Sequence, residues 1–597
     1  MRFEPLRVAL AQMNATVGDI DGNAARIGDF CARARAEGAS LVVFPELALT
    51  GYPPEDLLLK THFLDSAGAA LERLALEIEG ITAIIGFPER REDVYNAAAV
   101  VSGGEVRAVY RKMYLPNYGV FDEQRYFQAG LEPALVEVNG AALGLSVCED
   151  IWEPGPPATS EALAGAQVIV NLSASPYHAG KGAERERMLV QRARDTVSIV
   201  LFANMVGGQD ELVFDGHSVA IDQDGRIVAR APQFAEDLAV CTLDLGAVAQ
   251  QRLQDPRHRA AVLRMREASS PPVPVLARIR LEQDAGEAER APSGSAAGGS
   301  PELDLGGSVA ELMGPEEEVY TALVTGVRDY VGKNGFEQAV VALSGGIDSA
   351  LVALVAADAL GPDRVTCVGM PSRYSSEGTQ SDARAIAERL GTGWIEIPIE
   401  GLMGAYEEAL EAALAGTEPD ITEENLQARI RGNIVMALSN KFGWLVLTTG
   451  NKSEMSVGYA TLYGDMAGGF AVLKDVFKGW VYRLVRWRNA QDGGGAIPES
   501  VLDRPPSAEL RDDQRDDESL PPYDVLDRIL EGYVERDLDA RELVRHGLPE
   551  DDVARVTRLV DLAEYKRRQA PPGIRISTKA FGRDRRLPIT SRYRGGA

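Results

Sequence analysis

The stretch that most constrains the fold lies in the second half of the chain, where residues 340–355 read VVALSGGIDSALVALV. The uncharged apolar residues at its start are typical of a buried parallel strand. The apolar run after Ser349, free of glycine and proline, is typical of a helix. Two glycines let the intervening turn bend sharply, and Ser344, Ser349 and the first helical amides offer donors to an anion. The stretch predicts a phosphate-binding loop, although glycine after a strand also occurs in ordinary turns.

The sequence of the turn distinguishes between two kinds of phosphate loop. No GK[ST] follows it, so the lysine with which a Walker loop holds the β- and γ-phosphates is missing. SGGIDS resembles instead the pyrophosphate loop of the ATP pyrophosphatase family, whose members cleave ATP between the α- and β-phosphates to adenylate a carboxylate or carbonyl. The ATP-binding residues that this resemblance implies in the loop are Ala342, Leu343, Ser344, Gly345, Gly346, Ile347, Asp348 and Ser349.

Length, composition and charge limit the class of protein. The 597 residues exceed what one core holds, and contents of 45% hydrophobic and 25% charged residues are those of an ordinary globular protein. No apolar run approaches the length of about 18 residues that a membrane span needs, and the start has no signal-peptide core. We expect a cytoplasmic protein with no membrane partner. The formal net charge of −27 repels polyanions, so we expect no nucleic acid partner.

The first half alternates short apolar runs with helical stretches, which predicts an α/β layered domain. A helix is predicted at 23–37, and the predicted strands lie at 8–11, 41–44, 83–86, 143–147, 168–171 and 199–202.

Reactive side chains lie at the ends of such apolar runs. Glu46 stands in FPE, Lys112 in YRKMYLP and Cys148 in VCED. Strand ends are where α/β enzymes place their chemistry. Taken singly, each has an ordinary explanation, because a cysteine there is most often a packed hydrophobe and a glutamate or lysine is usually solvated. The four cysteines are scattered without CxxC spacing, so a functional cysteine would be a free thiol rather than part of a disulfide or zinc site.

Together, the order and local context of these residues resemble the nitrilase superfamily, whose fold is an α-β-β-α sandwich. The resemblance implies that Cys148 attacks an amide carbonyl and that Glu46 moves the thiol proton to the leaving ammonia. Lys112 would stabilise the oxyanion. Beside the lysine ammonium we expect the thiol to ionise more easily than an isolated one. Glu123 matches a further carboxylate of the superfamily.

The glutaminase branch of this superfamily suggests glutamine as the amide substrate. The residues at its glutamine-recognising positions are Tyr118, Ser175 and Lys181. Expected neighbours in the same pocket are Tyr52, Glu149 and Trp152. Lys181 lies in HAGKG, which is also typical of an exposed loop.

A segment poor in large apolar residues separates the two halves. From Asp284 to Gly307 the chain reads DAGEAERAPSGSAAGGSPELDLGG, which cannot bury a core. We therefore expect a nitrilase-like domain over 1–270, a linker over 271–312 and a second domain over 313–597.

The second half predicts a doubly wound parallel sheet of the ATP pyrophosphatase type with its ligand at the switch point, from strands at 365–370 and 394–399. Its runs TGNKSE at 449–454 and VGYATLYGD at 457–465 resemble the NAD synthetase signature. The resemblance implies that Thr449 contacts ATP and that Asp348 and Glu454 bind Mg²⁺ or the dinucleotide. Lys478 aligns by spacing with an ATP-contacting lysine.

The same resemblance implies residues that bind deamido-NAD. These are Asn425, Glu454 and Lys566, with Arg429 also facing the dinucleotide. The family often has lysine where this chain has Leu462, so that contact is lost or replaced. The basic run that begins at Lys566 is the obvious patch for an anionic dinucleotide in an acidic chain.

The motifs of both halves resemble glutamine-dependent NAD synthetases. This implies an enzyme that uses ATP with Mg²⁺, takes deamido-NAD and glutamine as substrates, and forms homo-oligomers. Two alternatives stay open. A different glutamine amidotransferase of the same ATP family would share SGGIDS but should lack the second signature. A non-catalytic nitrilase-like module would have the fold without the chemistry, although the intact Glu46, Lys112 and Cys148 speak against it.

Overall fold

The structure is a computed structural model that describes residues 4–267, 272–281, 306–491, 493, 495–511, 514 and 520–593. The chain divides into two compact units. The first unit comprises Met1–Gln209 and Phe214–Met313, and the second comprises Asp210–Val213 and Gly314–Ala597. Within the described ranges, no helix is long and apolar enough to cross a membrane.

The first half of the chain forms a layered α/β structure. Its strands are β1 Leu6–Gln12, β2 Leu41–Val43, β3 Thr82–Arg90, β4 Val94–Ser102, β5 Glu105–Arg111, β6 Leu135–Val138, β7 Ala141–Val147, β8 Val168–Ser173, β9 Ile199–Asn204, β10 Val206–Gln209, β11 Leu212–Asp215, β12 Val219–Ile221, β13 Ile227–Arg230, β14 Asp237–Leu243 and β15 Val275–Ile279. Its helices are α1 Ile20–Ala36, α2 Thr61–Glu77, α3 Ala158–Ala164, α4 Lys181–Thr196, α5 Leu245–Gln254 and α6 Pro256–Glu267.

Two sheets carry this unit. One has the strand order β14-β1-β2-β3-β4-β5 and the other β13-β12-β9-β8-β7-β6-β15. A single apolar core draws on both, with Val8 and Ile84 from the first sheet and Leu143 and Val170 from the second. Ile169 and Phe202 point to the other face of the second sheet and pack with residues of α3 and α4. Successive side chains of a strand point to opposite faces of its sheet, so one face can pack against the other sheet while the opposite face packs against helices. This is the helix-sheet-sheet-helix layering predicted for this half.

The range 271–312, predicted as a linker, contains one element of the first unit. Strand β15 pairs in parallel with β6, from Val275 opposite Leu135 to Ile279 opposite Val138. The glycine- and alanine-rich part of the predicted linker, residues 282–305, lies outside the described residues.

The second half also has an α/β fold. Its strands are β16 Ala339–Ala342, β17 Val365–Gly369, β18 Gly393–Glu396, β19 Leu445–Thr448 and β20 Phe470–Ala471. Its helices are α7 Pro315–Lys333, α8 Ile347–Leu360, α9 Glu377–Leu390, α10 Glu400–Leu410, α11 Ile421–Phe442, α12 Lys452–Val457, α13 Lys478–Gln491, α14 Glu499–Asp503, α15 Tyr523–Leu530, α16 Ala540–Arg545, α17 Glu550–Leu562 and α18 Glu564–Arg567. A π-helical turn at Glu531–Glu535 follows α15.

Its sheet is parallel throughout, in the order β18-β17-β16-β19-β20. The chain moves outward from β16 to β18 and then crosses back to β19, so the order reverses between β16 and β19. In such sheets ligands bind outside the carboxyl ends of the strands at this reversal. The α/β fold class predicted for both halves is confirmed.

Candidate active sites

The first candidate site lies where several strands of the first unit end. Glu46 follows β2, Lys112 directly follows β5 and Cys148 directly follows β7. The Lys112 ammonium lies 2.7 Å from Glu46 Oε1 and 2.8 Å from Glu123 Oε2, and all of these side chains are buried. The structure thus brings Glu46, Lys112 and Cys148 together, and it places Glu123, the further carboxylate expected from the resemblance, beside Lys112.

The Glu46 carboxylate is fixed by donors besides Lys112. Asn96 Nδ2 donates to Oε1 at 2.7 Å, and the backbone N–H of Ala174 donates to Oε2 at 3.0 Å. Asn96 lies on β4, where antiparallel pairing places Ala97 opposite Arg111 and so brings Asn96 beside Lys112. Nothing local in the sequence marks Asn96, because its position depends on the register of two strands.

Cys148 sits in a tight turn with φ +44°, a conformation that L-residues seldom adopt outside functional sites and turns. Its side chain lies in the core between the two sheets and the residue is 3% exposed. The Asn171 amide, on β8, donates to the Cys148 carbonyl at 3.4 Å. The turn therefore presents the thiol from a rigid support rather than from a mobile loop.

The expectation of an easily ionised thiol is wrong. Burial and the Glu46 charge raise the pKa of Cys148 well above its usual value, and together they outweigh the opposing effect of Lys112. The main physical reason is burial, which penalises the charged thiolate, and the nearby carboxylates Glu46 and Glu123 add to this effect. A base close to the thiol is then needed to remove its proton.

Burial also changes the pKa values of the charged side chains around the cysteine. It raises the pKa of Glu123 to about 7, even though Lys112 acts in the opposite direction. For Lys112 itself, burial favours the neutral form, but the charges of Glu123 and Glu46 dominate and hold its pKa well above the ordinary value. The lysine therefore stays cationic throughout the physiological range.

The residues predicted to recognise glutamine surround the cysteine turn. Tyr118 donates to the Glu149 carboxylate at 2.9 Å. The Lys181 ammonium lies 4.1 Å from the centroid of the Trp152 ring and 3.4 Å from Glu184. Lys181 is the first residue of α4 rather than part of an exposed loop, and its side chain is 18% exposed. Burial lowers the pKa of Lys181.

Ser175 lies just beyond β8 and is 5% exposed. Its backbone N–H donates to Asn204 Oδ1 at 2.9 Å. Asn204 in turn donates to the Gly216 carbonyl at 2.7 Å. The predicted glutamine-binding serine is therefore held by a buried amide that the sequence alone did not reveal.

The second candidate site contains the phosphate loop. Leu343 N donates to the Val368 carbonyl at 3.0 Å, which fixes the loop where it leaves β16. Gly345 has φ +85°, and a Cβ there would lie 2.1 Å from the Thr379 carbonyl oxygen, so only glycine fits. Ser349 is 3% exposed and donates to the Gly346 carbonyl at 3.0 Å. The buried Ser349 side chain thus stabilises the conformation of the loop.

Acidic and amide side chains join this loop to the one after β19. Asn451 Nδ2 donates to Asp348 Oδ1 at 2.9 Å. The Lys478 ammonium pairs with Asp348 Oδ2 and lies 3.5 Å from Glu454 Oε1. Burial favours neutral Lys478, but the charges of Asp348 and Glu454 prevail and raise its pKa above the ordinary value.

The donor set around Lys478 fits a Mg²⁺ ion. Magnesium is usually bound by one or two carboxylates together with substrate phosphates. Asp348 and Glu454 are two such carboxylates, and the Lys478 ammonium lies beside both. Among the described residues, no group of three or more His, Cys, Asp or Glu side chains could hold a metal ion. A metal here would therefore take further ligands from a phosphate group.

Thr449, the other residue predicted to contact ATP, follows β19 and so lies in the same loop as Asn451. Glu454 has a second task, because its Oε2 accepts the Asn451 backbone N–H at 3.3 Å and closes a capping box at the start of α12. Asn451 belongs to the TGNKSE run, which was the signal that could have singled it out.

The residues predicted to bind deamido-NAD gather around the segment 458–462. Asn425, on α11, accepts a hydrogen bond from Thr461 Oγ1 at 2.7 Å. The Lys566 ammonium donates to the carbonyls of Gly458 and Ala460, both at 2.7 Å. Arg429, also on α11, donates to the Leu462 carbonyl at 3.2 Å.

A cavity of about 340 Å³ lies on one side of this segment. Its lining residues are Gly432, Asn433, Met436, Leu462, Tyr463, Met466, Ala467, Gly468, Gln569 and Pro571. Leu462, which stands where the family often has lysine, therefore gives this cavity an apolar wall.

The two sites define a class of protein: a carbon–nitrogen hydrolase and a nucleotide-dependent synthetase in one chain. The carbon–nitrogen hydrolase family matches residues 7–253, and the NAD synthase family matches residues 319–570. The glutamine-dependent NAD(+) synthetase of Thermotoga maritima is 48% identical over 592 residues, covering 99% of each chain. That of Aquifex aeolicus is 46% identical, covering 98% of this chain and all of the relative. The chain belongs to the glutamine-dependent NAD(+) synthetases, and the predicted resemblance is confirmed.

Solved structures agree with this assignment. The glutamine-dependent NAD+ synthetase from Acinetobacter baumannii, in complex with ADP, is 38% identical with a TM-score of 0.72 and covers 98% of each chain. The enzyme from Cytophaga hutchinsonii is 22% identical with a TM-score of 0.78, which shows a shared fold. The prediction that this chain is an enzyme of the ligase class is confirmed by its relatives.

Proposed function

We propose that this chain converts deamido-NAD to NAD, with glutamine as the nitrogen donor, ATP as co-substrate and Mg²⁺ as the metal. Diphosphate leaves as the nicotinate carboxylate forms an acyl adenylate with ATP, and AMP leaves when ammonia attacks that adenylate. The observation that carries the proposal is the pair of sites: a buried Glu46–Lys112–Cys148 cluster in one unit and a phosphate loop joined to Glu454 through Lys478 in the other.

In the first site, Glu46 removes the thiol proton as Cys148 attacks the side-chain carbonyl of glutamine. Lys112 stabilises the oxyanion, and Glu46 returns the proton to the leaving ammonia. Water then hydrolyses the thioester to glutamate. The high pKa of the buried thiol makes this concerted role of Glu46 necessary, since little thiolate exists beforehand. Tyr118, Ser175 and Lys181 bind the substrate.

In the second site, the residues from Ala342 to Ser349, together with Thr449 and Lys478, hold ATP. Asp348 and Glu454 hold Mg²⁺, which supplies charge neutralisation at the phosphates during transfer. Asn425, Glu454 and Lys566 bind deamido-NAD. Activation by ATP is required because a carboxylate is a poor electrophile with no good leaving group, whereas AMP leaves readily from the adenylate when ammonia attacks.

A cytoplasmic location, a homo-oligomeric state, and the lack of nucleic acid and membrane partners remain predictions from the sequence. They rest on the charge of −27, the apolar-run lengths and the family resemblance.

Product analysis with isotope-labelled glutamine tests the function. The protein is incubated with deamido-NAD, ATP, Mg²⁺ and glutamine carrying ¹⁵N in its side-chain amide, and the nucleotides are analysed by mass spectrometry. We expect NAD whose carboxamide carries the label, with AMP in equal amount. No NAD with either glutamine or ammonium would refute the proposal. Amidation of a purine or an amino acid instead would favour the rival amidotransferase.

A further inference from the structure

Asp150 occupies an unusual position two residues after the cysteine. Its carboxylate is completely buried and accepts hydrogen bonds from several partners. Oδ1 accepts the backbone N–H groups of Met113 and Tyr114 at 3.0 and 2.9 Å. Oδ2 accepts the Val147 N–H at 2.9 Å and the Tyr110 hydroxyl at 2.8 Å.

These donors come from both sides of the first site. Val147 is the last residue of β7, directly before Cys148, whereas Met113 and Tyr114 directly follow Lys112. The carboxylate therefore ties the turn that carries Cys148 to the segment that carries Lys112. The backbone of Lys112 is held from other directions by bonds to the Asn96 carbonyl at 2.8 Å and from Gly130 N–H at 2.7 Å. Asp150 thus links the cysteine turn to this lysine segment through one side chain.

We infer that Asp150 is a positioning residue of the glutaminase reaction, which fixes the distance between the nucleophilic sulfur and the oxyanion-stabilising ammonium. This inference rests on the proposed function of the first site. Asp150 touches neither substrate nor reacting atoms. Its effect on rate comes from alignment, because small displacements of reacting groups cost much of the advantage of a prebuilt site.

The chemistry of the four donors explains why a carboxylate is needed. Both oxygens accept two hydrogen bonds, so neither can be replaced by an NH₂ group without leaving a backbone N–H unpaired. In an asparagine, an amide nitrogen at the Oδ1 position would face the N–H groups of Met113 and Tyr114. At the Oδ2 position it would face that of Val147, although the Tyr110 hydroxyl could turn round and accept from it.

Asp150→Asn tests the inference, because it keeps the size of the side chain and changes only these bonds. We expect kcat for glutamine hydrolysis to fall about 10- to 100-fold. The KM for glutamine should stay within about threefold, since Tyr118, Ser175 and Lys181 are untouched. Ammonia-dependent NAD synthesis should stay within about twofold and serves as an internal measure of the second unit.

Matched controls separate positioning from a general loss of structure. Asp222 also binds two backbone N–H groups, those of Asp224 and Arg226, in a turn away from the site. Asp222→Asn should leave glutamine hydrolysis unchanged. Tyr110→Phe removes one donor from Asp150 and should lower kcat about two- to fivefold. Tyr95→Phe removes a hydroxyl that is bonded to Glu92 rather than to Asp150, so kcat should stay unchanged.

The inference is overturned by a folded Asp150→Asn protein with wild-type kcat, by an effect confined to KM, or by an equal loss of ammonia-dependent synthesis. If thermal melting shows that Asp150→Asn does not fold, Tyr110→Phe decides, and a kcat equal to that of Tyr95→Phe overturns it. A wild-type protein that makes NAD from ammonia but not from glutamine would instead refute the proposed glutaminase function itself.

Discussion

The two candidate sites balance their charges in different ways. In the first unit, Glu46 and Glu123 share the Lys112 ammonium, and the exposed fractions of these side chains are 0%, 6% and 0%. In the second unit, Asp348 and Glu454 share the Lys478 ammonium, but their carboxylates are 17% and 18% exposed. The carboxylates of the second site are thus partly exposed, while those of the first are buried.

This difference follows from what each site has to supply. Under the proposed function, the first site provides nucleophile, base and cation from its own chain, so all three can be buried in one cluster where their interactions are strong. Under the proposed function, the second site would bind a triphosphate and a metal ion, which bring their own charge. Its carboxylates have to remain reachable for that cation. We therefore predict that a single substitution in one site abolishes the activity of that site and leaves the activity of the other site intact.

The largest expected effect is that of Cys148→Ala. Glutamine-dependent NAD synthesis should fall by about 10⁴-fold or more, because no other group in the site can form the thioester. The same protein should make NAD from an ammonium salt at a pH where free NH₃ is appreciable, since NH₃ is the nucleophile of the second reaction. Both rates are measured by NAD formation at saturating ATP.

Cys31→Ala is the control for this experiment, because Cys31 is a buried thiol on α1. It should leave both rates unchanged. Destabilisation by Cys148→Ala should be about 1 kcal/mol, which thermal melting can check. Full glutamine-dependent activity would deny that Cys148 is the nucleophile. Loss of the ammonia reaction in a folded protein would mean that the units are coupled beyond the supply of ammonia.

Asp348→Asn should produce the reverse pattern. NAD synthesis from either nitrogen donor should fall by about 10²-fold or more, because a charge that holds Mg²⁺ is lost where charge develops in the transition state. Glutamate release should continue. The control is Asp358→Asn, on the same helix α8, whose carboxylate accepts from Tyr320 at 2.6 Å and Arg488 at 2.8 Å. Normal NAD formation in Asp348→Asn would remove Asp348 from the metal site.

The parts of the fold that were predicted from sequence share one physical property. Strands β16 and β17 are largely buried, so each gives a continuous apolar run. The apolar run that begins at residue 340 and the predicted strand at 365–370 match their observed positions closely. Strand β4 was missed, and β5 was predicted only through the placement of Lys112 at a strand end. They belong to an antiparallel meander, whose existence depends on pairing between segments rather than on any one segment.

The same division applies to the sites. Glu46, Lys112, Cys148 and Asp348 lie in recognisable local runs at strand ends, so the sequence predicts them. Asn96 and Asp150 act through neighbours set by tertiary packing, and no local pattern singled them out. The thiol pKa was predicted in the wrong direction, because the local sequence indicates Lys112 as a neighbour but shows neither the burial nor the second carboxylate that outweigh it.

A smaller effect is expected for Lys566→Ala, in the second and less buried site. Removing a charged contact worth about 1.5–3 kcal/mol should raise the KM for deamido-NAD about tenfold or more, and that for ATP less than about threefold. The two carbonyls that Lys566 now binds would also lose their donor. Equal changes in both KM values would therefore assign Lys566 a role in shaping the 458–462 segment. Lys579→Ala, which breaks only a surface pair with Asp537, is the control.

The smallest effect concerns the first, more buried site and is expected for Tyr52→Phe. The Tyr52 hydroxyl donates to Glu123 Oε1 at 3.0 Å and stabilises the ionised carboxylate, which lowers the pKa of Glu123 against the effect of burial. Without this bond, the pKa of Glu123 should rise above its value of about 7. Ionised Glu123 helps to hold Lys112, so glutamine hydrolysis should decline as pH falls through this pKa, and the acid limb of the kcat profile should move to higher pH.

The size of that shift follows from the strength of one hydrogen bond. A contribution of about 1 kcal/mol corresponds to somewhat less than one pH unit, and kcat well above the limb should fall no more than about threefold. Ammonia-dependent synthesis should keep its own pH profile, since Tyr52 belongs to the first unit. An acid limb that stays in place would show that Glu123 does not govern it. An acid limb that moves to lower pH would show that the Tyr52 hydroxyl raises the pKa of Glu123 instead of lowering it. Ionised Glu123 would then be stabilised by Lys112 alone.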